Sequence, residues 1–410
     1  MTKFRLAHLG LVMAAIGFTA AAPLAGLTSV AYAADTVRAE VGKPLQEAQK
    51  LAASGKAKEA LAKLKEADAV GNKSELEKFQ IEYTRGSAAL AAGDSETAGK
   101  AFEFVLNSGK LPAAQAPKIA EALASIYYRA KDYPKAINAI QRVLKDNPGN
   151  SQMKELLTQA YYSSGKYAEA AKELQGAKSE QSLQMLANIQ LKQNDKAGYV
   201  QTLEKLAASY PKASYWADLL NRVQSKPGFS SSLNLDLKRL QLALGQLSKP
   251  NEFMEMGQLA LQAGNPAEAT KIVDAGYKKG ALGTGPDAGR HQRLKDLAVK
   301  TQAENDKNQA TAEATAIKEK DADALANMGY ALVSQGKGDQ GLKLIDEAIK
   351  MGTARKPEEM KLHYGVAQYI AGKKSAAVST QKSVKGNNGE SDLARYWTLY
   401  INNPVLTKPG

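Results

Sequence analysis

An all-α solenoid in two halves, built from stacked helix pairs, is predicted for this 410-residue chain by three observations. First, two consecutive segments between Pro117 and Glu180 repeat one residue pattern at a period of thirty-four: Tyr127, Ala136 and Ile140 return as Tyr161, Ala170 and Leu174. Second, alanine, leucine, lysine and glutamate are abundant while aromatics make up only 6%, which favours helix over strand. Third, a chain this long exceeds one ordinary core, and a single helix pair cannot bury its own apolar face, so the pairs must stack.

The spacing of Leu123, Ala124, Tyr127, Tyr133, Ala136, Ile140, Val143 and Pro148, and of their second copies, resembles the tetratricopeptide repeat. That resemblance extends over roughly seven units from residue 43 to 385. A small residue at Ala136 or Ala170 lets the second helix approach the first, and Tyr127 or Tyr161 fills the space beside it.

Along the chain, Leu51, Gly55, Ala60 and Leu64 mark a first unit, and Ala89, Gly93, Ala98 and Phe102 a second. After Lys178 the pattern weakens through Leu186, Ala187, Leu203, Leu206 and Pro211. Ser225-Lys226-Pro227-Gly228 reads as a boundary, giving 34–226 as an N-terminal solenoid and 227–410 as a C-terminal one. Each half is expected to close with a capping helix that carries one of the two tryptophans, Trp216 and Trp397.

In the second half, a helix is expected from Leu233 to Leu247. Met256, Gly257, Ala260 and Ala269 then form a clear unit, with Asn265-Pro266 starting its second helix. A glycine-rich loop follows from Gly280 to Arg290. His291 to Lys320 is read as two helices of a degenerate unit, because Ala269 and Gly341 lie two periods apart. Met328 to Ala348 and Tyr364 to Val384 make the last units, and a helix near Leu393 to Ile401 closes the chain.

Residues 1–33 resemble a bacterial secretory leader: Lys3 and Arg5 precede an uncharged stretch from Leu9 to Ala34, with small residues for cleavage between Ala33 and Ala34. The expected location is therefore periplasmic or otherwise exported, the alternative being an uncleaved inner-membrane anchor. Nothing after Ala34 reads as a second apolar span. The formal charge of +13 falls to +11 without the leader, 53 basic against 42 acidic side chains, and the two signs are interspersed as on a solvated surface.

The motifs that suggest chemistry fall at turns. Gly55-Lys56, Gly165-Lys166, Gly336-Lys337 and Gly372-Lys373 lack the rest of a phosphate loop. The Ser-x-x-Lys at Ser163 and Ser334 lacks its Lys-Thr-Gly partner. The chain has no cysteine, and His291 and His363 are expected to face solvent rather than a metal. The expectation is a chain without catalysis, cofactor, metal or nucleic-acid partner.

What the resemblance implies is a scaffold that binds protein or peptide partners of the cell envelope along the groove lined by each first helix. An accessory role in polysaccharide export or peptidoglycan-associated work is the alternative. Carried onto this chain, the groove positions are Tyr83, Ser87, Ser125, Tyr128, Arg129, Gln159 and Tyr162 in the first half, and Met254, Gln258, Asn327, Tyr330 and Tyr369 in the second. Tyr128, Tyr162 and Tyr369 fall at one place in three units, as a ladder of amphipathic rings would. Ser87, Ser125 and Gln159 stand where a carboxylate clamp would need asparagine.

Overall fold

A computed structural model describes residues 36–210 and 212–403, so the leader, its cleavage point at Ala33 and Ala34, and Pro211 lie outside the described residues. Every regular element among these residues is helical, and the fold is an all-α solenoid of consecutively packed helix pairs. Two compact units divide between Ala177 and Lys178.

The first unit contains α1 (Ala39–Ala53), α2 (Ala57–Ala69), α3 (Glu75–Ala92), α4 (Ser95–Asn107), α5 (Ala116–Arg129), α6 (Tyr133–Asp146), α7 (Ser151–Ser163) and α8 (Tyr167–Glu173). Each odd helix packs on the even helix after it. At each crossing stands an alanine with no exposed surface: Ala60, Ala98, Ala136 and Ala170. The turns explain the Gly-Lys dipeptides. Gly165 adopts φ 76°, a left-handed conformation that costs glycine little, and the amide of Lys166 donates back to the Tyr161 carbonyl to close α7. In α1 and α3, Arg38 donates from its backbone and side chain to Glu77, which also caps α3 with Ser74.

The second unit contains α9 (Glu180–Lys192), α10 (Lys196–Ser209), α11 (Ala213–Gln224), a 3-10 turn at Ser231–Leu233, α12 (Asn234–Ala243), α13 (Pro250–Gln262), α14 (Pro266–Lys278), α15 (Ala288–Glu319), α16 (Ala322–Ser334), α17 (Gly338–Met351), α18 (Pro357–Ile370), α19 (Lys374–Ser383) and α20 (Glu390–Asn402). Three elements depart from expectation. His291 to Lys320 is not two helices: α15 runs unbroken for 32 residues, about 48 Å, because after Gly289 in its first turn no glycine or proline interrupts it. Beyond Ala298 it is mostly exposed until Ala316, so its alanine-rich composition supports it there more than packing does.

The two tryptophan helices do not seal separate ends. Trp216 of α11, 1% exposed, meets Tyr396 of α20 edge-on with ring centroids 6.5 Å apart. Arg395 pairs with Glu204 at 2.7 Å and Lys226 with Asp392 at 2.9 Å. These contacts draw residues 178–226 into the second unit, so the division expected at 226/227 falls inside it. The third departure is α12, which is short and buried on almost every side.

Candidate functional site

Helix α12 is the element around which the site of the second unit is arranged. The stretch from Leu233 to Leu247 carries a leucine every two or three residues, and a helix apolar all round is a core helix. Leu233, Leu237 and Leu240 are buried. Within this apolar frame stand two charges, Asp236 and Arg239, 1% and 6% exposed. A buried charge needs a partner, and the first helices and α14 supply them.

Arg239 pairs with Asp236 at 2.8 Å and, through both arms of its guanidinium, with Glu268 of α14 at 2.7 Å. Its guanidinium lies 4.3 Å from the ring centre of Tyr330 on α16, a cation–π contact. Asp236 accepts a second hydrogen bond of 2.9 Å from Nε2 of His363 on α18. Burial pushes the Asp236 carboxyl up, but His363 and Arg239 outweigh it and hold the group below its ordinary range. Burial also pushes the Tyr330 phenol well above its usual range, despite Arg239 beside it. Farther along, Tyr400 of α20 donates to the Ala243 carbonyl. Helix α12 thus lies across α16, α18 and α20, on the surface where the resemblance places a ligand.

This placement decides what the second-unit groove residues can do. Met254 and Tyr330, expected in an open groove, are buried at 4% and 3% exposure, Met254 in the cluster that includes Leu235 of α12. Gln258 and Asn327 remain exposed. Tyr369 packs against Trp397 and Tyr400 of α20 and so joins the aromatic cluster at the last helix.

In the first unit, Tyr83 is buried beside Phe79, and Ser87 and Ser125 donate to carbonyls one turn back, Tyr83 and Glu121. Tyr128 and Tyr162 are half-buried. Each meets the first tyrosine of the second helix in its own pair, Tyr133 at 5.8 Å and Tyr167 at 5.7 Å, in matching edge-on geometry. Arg129 is exposed, and Gln159 is half-buried with its amide toward Glu155. The ladder therefore has two equivalent rungs, with Tyr369 in a different setting.

Of the two histidines expected to face solvent, His291 is buried and His363 is 31% exposed. His291 is 3% exposed and its Nδ1 accepts from the Gly283 amide, tying the glycine-rich loop to α15. His363 holds Asp236. Ser232 Oγ lies 2.7 Å from Lys356 Nζ and 2.5 Å from Glu359, which resembles a serine–lysine nucleophile. Lys356 is more than half exposed and paired with Glu359, so it lacks the apolar enclosure that activates such a pair. No group of three metal-ligating side chains occurs among the described residues.

Two cavities of about 320 Å³ each flank this cluster and share Asn327, Tyr330 and His363. Sequence reasoning did not find the Asp236, Arg239, Glu268 and His363 network. The available signal was an acidic and a basic residue three apart inside a leucine-rich helix, where solvation cannot serve them.

A tetratricopeptide-repeat family profile matches residues 83–139 and 121–182. That stretch spans α3 to α8 and carries tetratricopeptide repeats. No curated protein sequence matches the chain. Among solved structures, the chain is similar to a tetratricopeptide repeat protein from Parabacteroides merdae, at 13% identity over 81% of this chain and 98% of that one, with a TM-score of 0.31. It is also similar to the TPR2AB domain of yeast Sti1 in a pHSP90 complex (13% identity, 71% and 99% covered, TM-score 0.24) and to the MamA RS-1 ArsTM double mutant (18%, 42% and 95%, 0.31). The fold assignment rests on the helix order and the repeat match.

Proposed function

We propose that this chain is an exported scaffold that captures protein segments in the cell envelope, without catalysis of its own, and that the first-helix face of its first unit is the capture surface. The observation that carries the reading is the pair of half-exposed tyrosines, Tyr128 and Tyr162. They stand one repeat apart, each braced by a tyrosine of its own helix pair. A braced aromatic ring loses little entropy on binding and offers both apolar area and a hydroxyl. The basic leader with its small-residue cleavage point supports export, and the repeats between residues 83 and 182 support protein binding.

The test is crosslinking of the full chain in cells followed by mass spectrometry, for wild type and for Tyr128→Ala with Tyr162→Ala. Recovery of partners should fall at least about tenfold, the size of one well-buried aromatic anchor, with unchanged helicity. The same partners at unchanged yield would overturn the assignment of the face. Fractionation tests the location: a processed chain beginning at Ala34 is expected outside the cytoplasm, and a full-length cytoplasmic product sinks the export reading.

A further inference from the structure

Apart from the capture of protein segments, we propose that Asn388 is a site of spontaneous deamidation, and that its conversion releases the segment leading into α12 from the α19–α20 loop. Asn388-Gly389 is the single Asn-Gly dipeptide in the sequence. That pairing matters because the reaction closes a five-membered ring, the backbone nitrogen after the asparagine attacking its side chain, and glycine puts no Cβ in the way. The local structure leaves both partners available. Asn388 is exposed, and the Gly389 amide donates to no group among the described residues. Gly389 is also the N-cap of α20, where the positive end of the helix dipole favours the negative charge that the attacking nitrogen carries.

The step needs no reagent but water. The Gly389 nitrogen loses its proton and bonds to Asn388 Cγ, the Cγ–Nδ2 bond breaks, and the proton ends on the departing ammonia, leaving a succinimide. Water then opens the ring. Cleavage at Cγ gives aspartate, and cleavage at the main-chain carbonyl gives isoaspartate, with the chain rerouted through Cγ. One water enters, one ammonia leaves, and a neutral amide becomes a carboxylate.

The contacts around this residue make the change consequential. The Ser230 amide donates to the Asn388 carbonyl at 2.9 Å, and Lys226 pairs with Asp392 at 2.9 Å. A Cβ added at Gly389 would lie 2.6 Å from the Phe229 ring, so the ring packs directly on the glycine. Residues 226–230 are thus strapped to the loop, and the strap continues through the 3-10 turn into α12. Isoaspartate turns the carbonyl that Ser230 uses into a free carboxylate beside a lengthened backbone, which displaces it. The new charge also stands beside Glu390, 7% exposed, whose carboxylate accepts from the Asn388 amide at 2.7 Å, and two neighbouring carboxylates repel.

This site lies in the second unit, so its test is independent of capture by the first. The full chain is incubated folded at neutral and at mildly alkaline pH, and its peptides are mapped by mass spectrometry with fragmentation that separates isoaspartate from aspartate. Conversion should be faster at Asn388 than at any other asparagine and should rise with pH, because the Gly389 amide must lose its proton. It should be absent in Asn388→Gln, whose longer side chain closes a less favourable ring. Brief chymotrypsin treatment reports on the strap: cleavage after Phe229 should rise about fivefold in converted chains, the size of one lost hydrogen bond, and stay constant in incubated Asn388→Gln. A folded chain that keeps Asn388 intact while the urea-unfolded chain converts would overturn the site. Conversion without faster cleavage after Phe229, or equal loosening in incubated Asn388→Gln, would overturn the release.

Discussion

The two units treat the same surface in opposite ways. In the first, all eight described helices belong to consecutive pairs, and the first-helix face keeps Tyr128 and Tyr162 half-exposed. In the second, an additional helix, α12, lies across the equivalent face and buries Tyr330 beneath Arg239. A repeat fold sets where a groove will be, and segments outside the repeat decide whether it is open. The difference is also chemical. The first unit is closed by alanines at its helix crossings, and its buried carboxylate, Glu77, pairs with Arg38, which is 43% exposed. The second encloses an ionic network that must remain complete, because low dielectric makes each unpaired charge expensive.

The largest expected effect tests whether α12 is integral to the second unit. Arg239→Ala leaves Asp236 and Glu268 facing each other without a cation and should destabilise the second unit by about 3–5 kcal/mol. Both tryptophans of the chain, Trp216 and Trp397, lie in this unit, so tryptophan fluorescence reports on it alone. In a urea titration the fluorescence midpoint should fall sharply while the remaining helical signal keeps its transition. If the two move together, or neither moves, α12 is not the keystone of the second unit alone.

A smaller effect distinguishes the helix crossings. Where the first unit has Ala98 or Ala136, the α16–α17 crossing has Gly341 against Gly329, and a Cβ added at Gly341 would strike the Gly329 carbonyl oxygen and lie 2.8 Å from the Val333 backbone nitrogen. Gly341→Ala should therefore cost about 1–3 kcal/mol by overpacking, and more if the backbones cannot separate. The reverse change in the first unit, Ala98→Gly, should cost only about 0.5–1 kcal/mol, through helix entropy. Equal effects at the two sites, measured by thermal denaturation, would show that the crossings are equally spaced.

Those crossings also mark what was legible in the sequence. Helix pairing, the turn glycines and the core places of the repeat could be read because each is local and recurs at a fixed period. The Gly-Lys and Ser-x-x-Lys decoys resolved by position for the same reason. The continuity of α15 was legible in principle, since the stretch from His291 to Glu319 contains neither glycine nor proline. What periodicity cannot convey is where a non-repeat helix docks. Asp236 meets His363 across 127 residues, and Trp216 meets Tyr396 across a still longer stretch of chain, through contacts that leave no spacing signal. The repeat position of Met254 and Tyr330 is a groove position, and only tertiary packing covers them.

The smallest effect belongs to the first unit and concerns pH. Hydrogen bonds from the Arg38 side chain hold Glu77 down at about 2, against an ordinary value of 4.5. A carboxylate depressed in the folded state contributes stability that is present in full above about 4.5 and is lost as pH falls toward 2. Hydrogen bonds to a charged group give about 1.5–3 kcal/mol, but Arg38 is 43% exposed and solvent screens the pair, so Glu77→Gln should cost about 1 kcal/mol at pH 7. The thermal midpoint followed by circular dichroism should be lower in the variant at pH 7, with tryptophan fluorescence unchanged, and the gap from wild type should close between pH 4.5 and 2. A gap that persists at pH 2 would mean that Glu77 acts through its shape in the α3 cap rather than through its charge. The contrast with the second unit, where both members of the Asp236–Arg239 pair are buried, would then be one of charge against shape.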